Sequence, residues 1–276
     1  MAKRRSNWGR RSRSREKAPE VNAASVRLAS VASLLLVLLL SSCGEASTTA
    51  PTPEIVASAE AGSTAVAIAA TNDTAVGADE DISGVVLQGR VFGSGPVGVI
   101  LAHMRPADQT AWFPFATRLA ATGKFTVLTF DFRGFGKSTG EKEFDHLDTD
   151  LAAAYRYVSE QLGIRTIFLI GASMGGTASL VEAGRLPVAG VVSISSPAQF
   201  ETLDALHAVE RGAIPRLFIA SEDDVPAARS EEQFWANAPD PKERQIYPGN
   251  AHGTDLFSSD QRFEVEQRII DFLSSH

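Results

Sequence analysis

The chain has 276 residues, with 26 Lys and Arg against 33 Asp and Glu, a net charge of −7, and one cysteine. A single cysteine excludes an intrachain disulfide, so stability must come from core burial. The acidic balance argues against a nucleic-acid protein working through a basic stripe.

Residues 1–27 carry nine Lys/Arg and two acids, and an apolar stretch of about fifteen residues, Val26 to Leu40, follows. That is short of the roughly 20 residues a helix needs to span a bilayer. A basic region and a short apolar core ending in small residues are the layout of a secretory signal. The arginine pairs at 4–5 and 10–11 lack the pattern of a twin-arginine signal, so the general secretory route is expected. Leu40-Ser41-Ser42-Cys43 resembles the bacterial lipobox, whose cysteine is diacylated and becomes the new N-terminus. The resemblance implies that residues 1–42 are a lipoprotein signal peptide. It also implies that Cys43 anchors the protein to the cell membrane, facing outside the cytoplasm. Two or three acyl chains would hold stably where one would not. Without residues 1–42, 17 bases and 31 acids remain, a net charge of −14. Membrane attachment would then rest on lipid, not on a cationic face.

Residues 43–81 are rich in Ala, Thr, Ser, Gly, Pro and acids, with Ala65 to Ala70 as the one semi-apolar patch. Such a stretch buries too little surface to offset its ordering entropy, and it is expected to be a flexible tether. From residue 82 to 276 the composition suits one globular domain. Val85 to Phe92 reads as an edge strand, with a turn at Gly93-Ser94-Gly95-Pro96. Val97–Ala102, Thr126–Phe130, Thr166–Ile170, Gly190–Ile194 and Arg216–Ala220 are short runs, apolar almost throughout, which suits parallel strands covered on both faces. Helical spacing recurs in Trp112–Ala121, in Leu147 to Leu162 and in Phe263–Leu273. Alternating strands and helices predict a doubly wound, mostly parallel α/β sheet with helices on both faces. Ligands bind such sheets at the carboxyl ends of the strands.

One such end carries Gly171-Ala172-Ser173-Met174-Gly175, between the run Thr166–Ile170 and the helical Thr177–Glu182. A strand feeding a helix through Gly-x-Ser-x-Gly makes a sharp turn with the serine hydroxyl at its tip. A serine needs a base, and the base needs a partner that holds its tautomer. Of the five histidines, His252 lies in a loop after the strand-like Arg244–Tyr247 and is the candidate base. The acid should fall between serine and histidine in the chain. Asp223 and Asp224 both follow the strand Arg216–Ala220, and their side chains point in different directions, so only one can face the histidine.

Together these motifs resemble the α/β-hydrolase family from about residue 85 to the C-terminus. Val99-Ile100-Leu101-Ala102-His103 is similar to the strand that precedes the oxyanion loop. Asp131-Phe132-Arg133-Gly134-Phe135-Gly136-Lys137-Ser138 resembles the family's Asp-x-Arg-Gly-x-Gly-x-Ser stretch. The serine turn, the aspartate-bearing strand end and Pro248-Gly249-Asn250-Ala251-His252-Gly253 follow in the family's order. The resemblance implies a catalytic set of Ser173, His252 and Asp224, with Asp223 as the alternative acid. It also implies an oxyanion hole of backbone N–H groups from Met174 and from Arg105 or Met104. Met104 departs from the family's glycine at that place. His103 and Arg133 are expected to brace loops, and no cofactor or metal is expected. About eighteen residues separate Ser196 from Arg216, which leaves no room for a cap domain. Trp112, Phe113, Phe135, Phe200 and Trp235 are candidates for the core or for lining an open site. The implied activity is hydrolysis of a small-molecule ester or acyl substrate through an acyl-enzyme. Thioesterase, amidase or peptidase, and perhydrolase are alternatives on the same residues. A non-catalytic binding protein of this fold is the alternative from another class.

Overall fold

The computed structural model describes residues 51–70 and 84–276. The expected signal segment 1–42, Cys43 and the remainder of the expected tether lie outside the described residues. In chain order the elements are α1 (Pro53–Ala61), β1 (Thr64–Ala69), β2 (Val86–Phe92), β3 (Val97–Ala102), α2 (Phe113–Ala121) and β4 (Phe125–Phe130). Then come α3 (Leu147–Arg156), β5 (Thr166–Ala172), α4 (Met174–Ala183), β6 (Gly190–Ile194), the short pair β7 (Gln199–Phe200) and β8 (Leu203–Asp204), and α5 (Ala205–Ala208). β9 (Arg216–Ser221), α6 (Val225–Asn237), β10 (Lys242–Tyr247) and α7 (Arg262–Ser275) complete the domain.

Among the described residues one sheet has the strand order β1-β2-β4-β3-β5-β6-β9-β10. All neighbours from β4 to β10 pair in parallel, and only β2 runs against both of its partners. Every residue of β4, β6 and β9 is buried, as the continuous apolar runs predict for strands covered twice. One core layer joins the sheet to α3, α4, α5 and α6 through residues such as Leu151, Ala178 and Phe234. The other joins it to α1, α2 and α7 through Ala59, Phe115 and Ile269. This is the doubly wound α/β sandwich expected from the alternation of elements.

Two expectations change. Residues 53–69, assigned to the tether, form α1 and β1, and β1 pairs along its whole length with β2. Val85–Phe92 is therefore not an edge, because β1 covers it. The sequence signal was weak for a physical reason. In β1 only Ile68 is buried, so the strand is held by backbone pairing more than by apolar surface. Arg90 of β2 clasps the turn between α1 and β1, donating from Nε to Ser63 Oγ at 2.7 Å and from its guanidinium to the Glu60 carbonyl. The connection from β6 to β9 holds only the β7–β8 pair and α5, so the carboxyl ends of the strands carry no cap domain.

Candidate active site

β5 ends at the sharp turn that carries Ser173. Its backbone sits at φ 51° and ψ −120°, a region that a non-glycine residue occupies at a cost of about 1–3 kcal/mol. The surrounding glycines make this turn possible. A side chain at Gly171 would strike the Gly175 carbonyl, and one at Gly176 would strike the Ser196 hydroxyl. A Cβ at Gly175 would lie 2.5 Å from the Ala102 carbonyl oxygen and 2.6 Å from that of His103. The end of β3 therefore abuts the serine turn. Met174 opens α4, so its N–H is one of the first-turn amides that a helix cannot pair with itself.

The loop after β3 is set by His103, which is fully buried. Phe132 N–H donates to His103 Nε2 at 3.0 Å, so the ring proton sits on Nδ1 and donates to the Met104 carbonyl at 2.9 Å. Burial holds this imidazole below its usual pKa, which keeps it neutral as a brace. In a trans peptide the carbonyl and the following N–H point opposite ways. Anchoring the Met104 carbonyl on His103 therefore turns the Arg105 N–H away from that ring. Met104 itself is buried, and its sulfur lies 2.7 Å from where a Cβ on Gly253 would stand. The Met104 side chain thus packs beneath the histidine loop. Gly253 accommodates it by having no side chain and a φ of 56°.

Asp224 stands at the N-cap of α6 but makes no capping bond. Its carboxylate accepts instead from His252 Nδ1 at 2.6 Å. Asp223 is exposed, and its backbone N–H donates to the Gly249 carbonyl at 2.9 Å. The two loops are laced by further bonds, Ser221 Oγ to the Ala251 carbonyl at 2.7 Å and Glu222 N–H to the Tyr247 carbonyl at 2.8 Å. The hydrogen bond to Asp224 is the main cause that holds His252 above its ordinary pKa, with partial burial opposing. Gly253 lies against Ala172, with 3.4 Å from its would-be Cβ to the Ala172 Cβ, so the histidine loop sits beside the residue that precedes Ser173. Among the described residues no hydrogen bond joins Ser173 Oγ to His252.

Two buried acids escaped the sequence reading. Arg133 and Asp150 form a fully buried ion pair, Nη2 to Oδ1 at 2.7 Å, and Glu143 lies 3.3 Å from the same guanidinium. Arg133 therefore braces the loop after β4 and does not face the site. Glu231 of α6 is fully buried, accepting from Ser196 N–H and Ser193 Oγ, each at 2.8 Å, while its Oε2 has no partner. It ties the middle of α6, the helix that Asp224 precedes, to the end of β6 beside the serine turn. A glutamate on an amphipathic helix reads as solvent-facing, so the sequence carried no signal for this role. Burial pushes the Glu231 carboxyl up to about 8. The folded chain thus keeps a proton that the unfolded chain releases, so stability falls as pH rises from about 4.5 to about 8 and then levels. Glu231→Gln should remove this slope, with its melting temperature gaining on the wild type by several degrees between pH 5 and pH 8. A gap that stays constant across that interval would show that the buried carboxyl does not titrate this way.

The candidate aromatics are mainly structural. Trp112, Phe113 and Phe135 are buried, while Trp235 is exposed on α6 with Lys242 and Arg244 over its ring. Among the described residues no group of three or more His, Cys, Asp or Glu is placed to hold a metal ion.

A family model for the alpha/beta hydrolase fold matches residues 99–224. An uncharacterized protein of Mycobacterium tuberculosis is 28% identical over 207 residues, covering 64% of this chain and 73% of its own. Among solved structures, a monoacylglycerol lipase of Paleococcus ferrophilus superposes with a TM-score of 0.60 at 18% identity, covering 69% of this chain and 99% of its own. An esterase of Pyrococcus furiosus superposes with a TM-score of 0.59 at 18% identity, covering 77% and 90%.

Proposed function

This chain carries the α/β-hydrolase fold, and from that premise we propose that it is an exported, lipid-anchored serine hydrolase cleaving carboxylic esters. The observation that carries the reading is the Asp224–His252 hydrogen bond, in a loop packed beside the strained turn of Ser173. Export and anchoring rest on the signal-like residues 1–42 and the lipobox-like Leu40–Cys43.

In this mechanism Ser173 Oγ attacks the ester carbonyl carbon while His252 Nε2 takes the hydroxyl proton. Asp224 keeps the other ring proton on Nδ1 and stabilises the imidazolium that forms. The negative charge on the carbonyl oxygen is met by the N–H groups of Met174 and Arg105. His252 passes its proton to the departing alkoxide, which leaves as the alcohol, and Ser173 keeps the acyl group. Water then attacks the acyl-enzyme by the same route and releases the acid. Thioesters and amides would follow the same steps with other leaving groups. Without a cap the site stays open, which favours simple esters.

A fluorophosphonate probe tests the reading directly, because only an activated serine reacts with it quickly. The native chain should be labelled at Ser173 and the heat-denatured chain should not. Labelling that survives Ser173→Ala, or its absence in the native chain, defeats the proposal.

A further inference from the structure

The folding of residues 53–69 shortens the connection to the expected lipid anchor. As a tether, residues 44–81 would leave the domain free to turn in any direction. With α1 starting at Pro53, only eight chain steps separate Cys43 from Pro51. At no more than about 3.6 Å per residue, these steps reach at most about 29 Å. Pro51 is half-buried and lines a groove with Ile55 of α1, Pro114 and Arg118 of α2, and Arg262 of α7. The chain therefore enters the domain on the layer formed by α1, α2 and α7.

That layer also exposes apolar surface. Among the described residues four large apolar side chains are exposed, and two of them, Ile55 at 46% and Phe263 at 67%, stand here. The other two, Val225 and Trp235, belong to α6 on the opposite face of the sheet, where Lys242 and Arg244 lie over the Trp235 ring. Arg262 links the first two, because it lines the groove with Ile55 and its guanidinium lies 4.3 Å from the centre of the Phe263 ring. Among the described residues no carboxylate pairs with Arg262, whereas Arg118 in the same groove is bonded to Glu266.

We propose that the face formed by α1 and the start of α7 rests on the lipid bilayer that holds the anchor, through Phe263, Ile55 and Arg262. This rests on the proposed acylation of Cys43 for the anchor, and on reach and exposure for the face. Phe263 and Ile55 enter the boundary between headgroups and acyl chains, the depth at which interfacial helices bury their apolar side. The Arg262 guanidinium, free of any carboxylate, meets a lipid phosphate beside the ring. Glu54 lines the groove and Glu264 follows Phe263, so no broad cationic field draws anionic lipid, and apolar insertion supplies most of the contact. Two side chains would hold a free protein only weakly. A short tether makes the contact intramolecular, at an effective concentration of about millimolar, where a weak contact suffices. The sheet lies between this layer and α6, so a bilayer that touches Phe263 leaves Trp235 in water.

The test uses the full-length lipidated chain in vesicles of phosphatidylethanolamine and phosphatidylglycerol. With Cys43 acylated, a cysteine introduced by Glu264→Cys on α7 or by Gln233→Cys on α6 is the one free thiol and takes a bimane label. Lipid with a doxyl spin label near its headgroup should quench position 264 several-fold more than position 233. Adding Ile55→Asp and Phe263→Asp should abolish that difference and leave the melting temperature close to the parent's, since both side chains are exposed. If the aspartates disturb folding, Ile55→Ser with Phe263→Ser gives the same readout. Equal quenching at the two positions, or a difference that survives these substitutions, overturns the proposal. Shielding of position 264 from aqueous iodide without quenching by lipid would mark a protein partner and overturn it too. Mass spectrometry of the N-terminal peptide reads the anchor separately. If Cys43 carries no acyl chain, the anchoring reading fails and the face is judged by flotation of the unlabelled chain with the same vesicles. Flotation that the two aspartates abolish sustains the face, and a chain that stays in solution, or floats regardless of them, refutes it.

Discussion

Ser173→Ala is expected to lower ester turnover roughly ten-thousand- to million-fold, with KM and melting temperature little changed. The size of the loss follows from the acyl-enzyme route. Removing the hydroxyl removes the atom that forms the covalent intermediate, and His252 and Asp224 then have no proton to move. These groups act as a unit, so losing one member costs nearly as much as losing all. The fold should not suffer. Alanine keeps the Cβ that the φ of 51° already tolerates, and among the described residues the hydroxyl forms no hydrogen bond that its loss would break. The measurement is kcat/KM on p-nitrophenyl butyrate beside thermal melts of both proteins. Equal turnover by the two forms would remove Ser173 from the chemistry altogether.

Asp224→Asn is expected to cost roughly ten-thousand-fold in kcat, while Asp223→Asn stays close to wild type. The asparagine side chain can donate to His252 Nδ1, which would move the ring proton to Nε2. That tautomer cannot accept the proton of Ser173. The pH profile gives a second, independent readout. His252 works as a base only when neutral, and its bond to Asp224 holds its pKa above the ordinary value. Activity of the wild type should therefore rise with pH along an acid limb that lies above pH 6.5. In Asp224→Asn the residual activity should show that limb at lower pH, because the carboxylate no longer stabilises the charged ring. A large loss in Asp223→Asn with little in Asp224→Asn would reverse the assignment of the acid. The geometry speaks for Asp224, since it lies 2.6 Å from the ring and Asp223 is exposed to solvent.

Local pattern was a good guide where function imposes a local conformation. The turn at Ser173 needs small residues on both sides of a strained backbone, and Gly171, Gly175 and Gly176 announce it in a few letters. The apolar strands were legible for a similar reason, because burial on both faces leaves no polar positions. The resemblance also implied that His103 braces a loop, and its two hydrogen bonds agree. Residues 53–69 were not legible, because β1 has one buried side chain and draws its order from pairing with β2. Glu231 and Asp150 were equally hidden. An acid in a helix looks solvated until the partner that buries it is known, and Ser196 and Arg133 are distant in the chain.

The chain's own letters thus determined most of the parallel strands and several of the helices after residue 85, the serine turn and the short list of groups able to activate it. Tertiary structure alone decided which of two adjacent aspartates meets the histidine. It also decided where Met104 goes and what closes the sheet at its first edge. The division has one physical cause. Backbone strain and two-sided burial act within a few residues and leave a local mark. Pairing, packing and hydrogen bonding across 17 or more positions, as between Arg133 and Asp150 or, at 28, between Asp224 and His252, depend on where the chain returns.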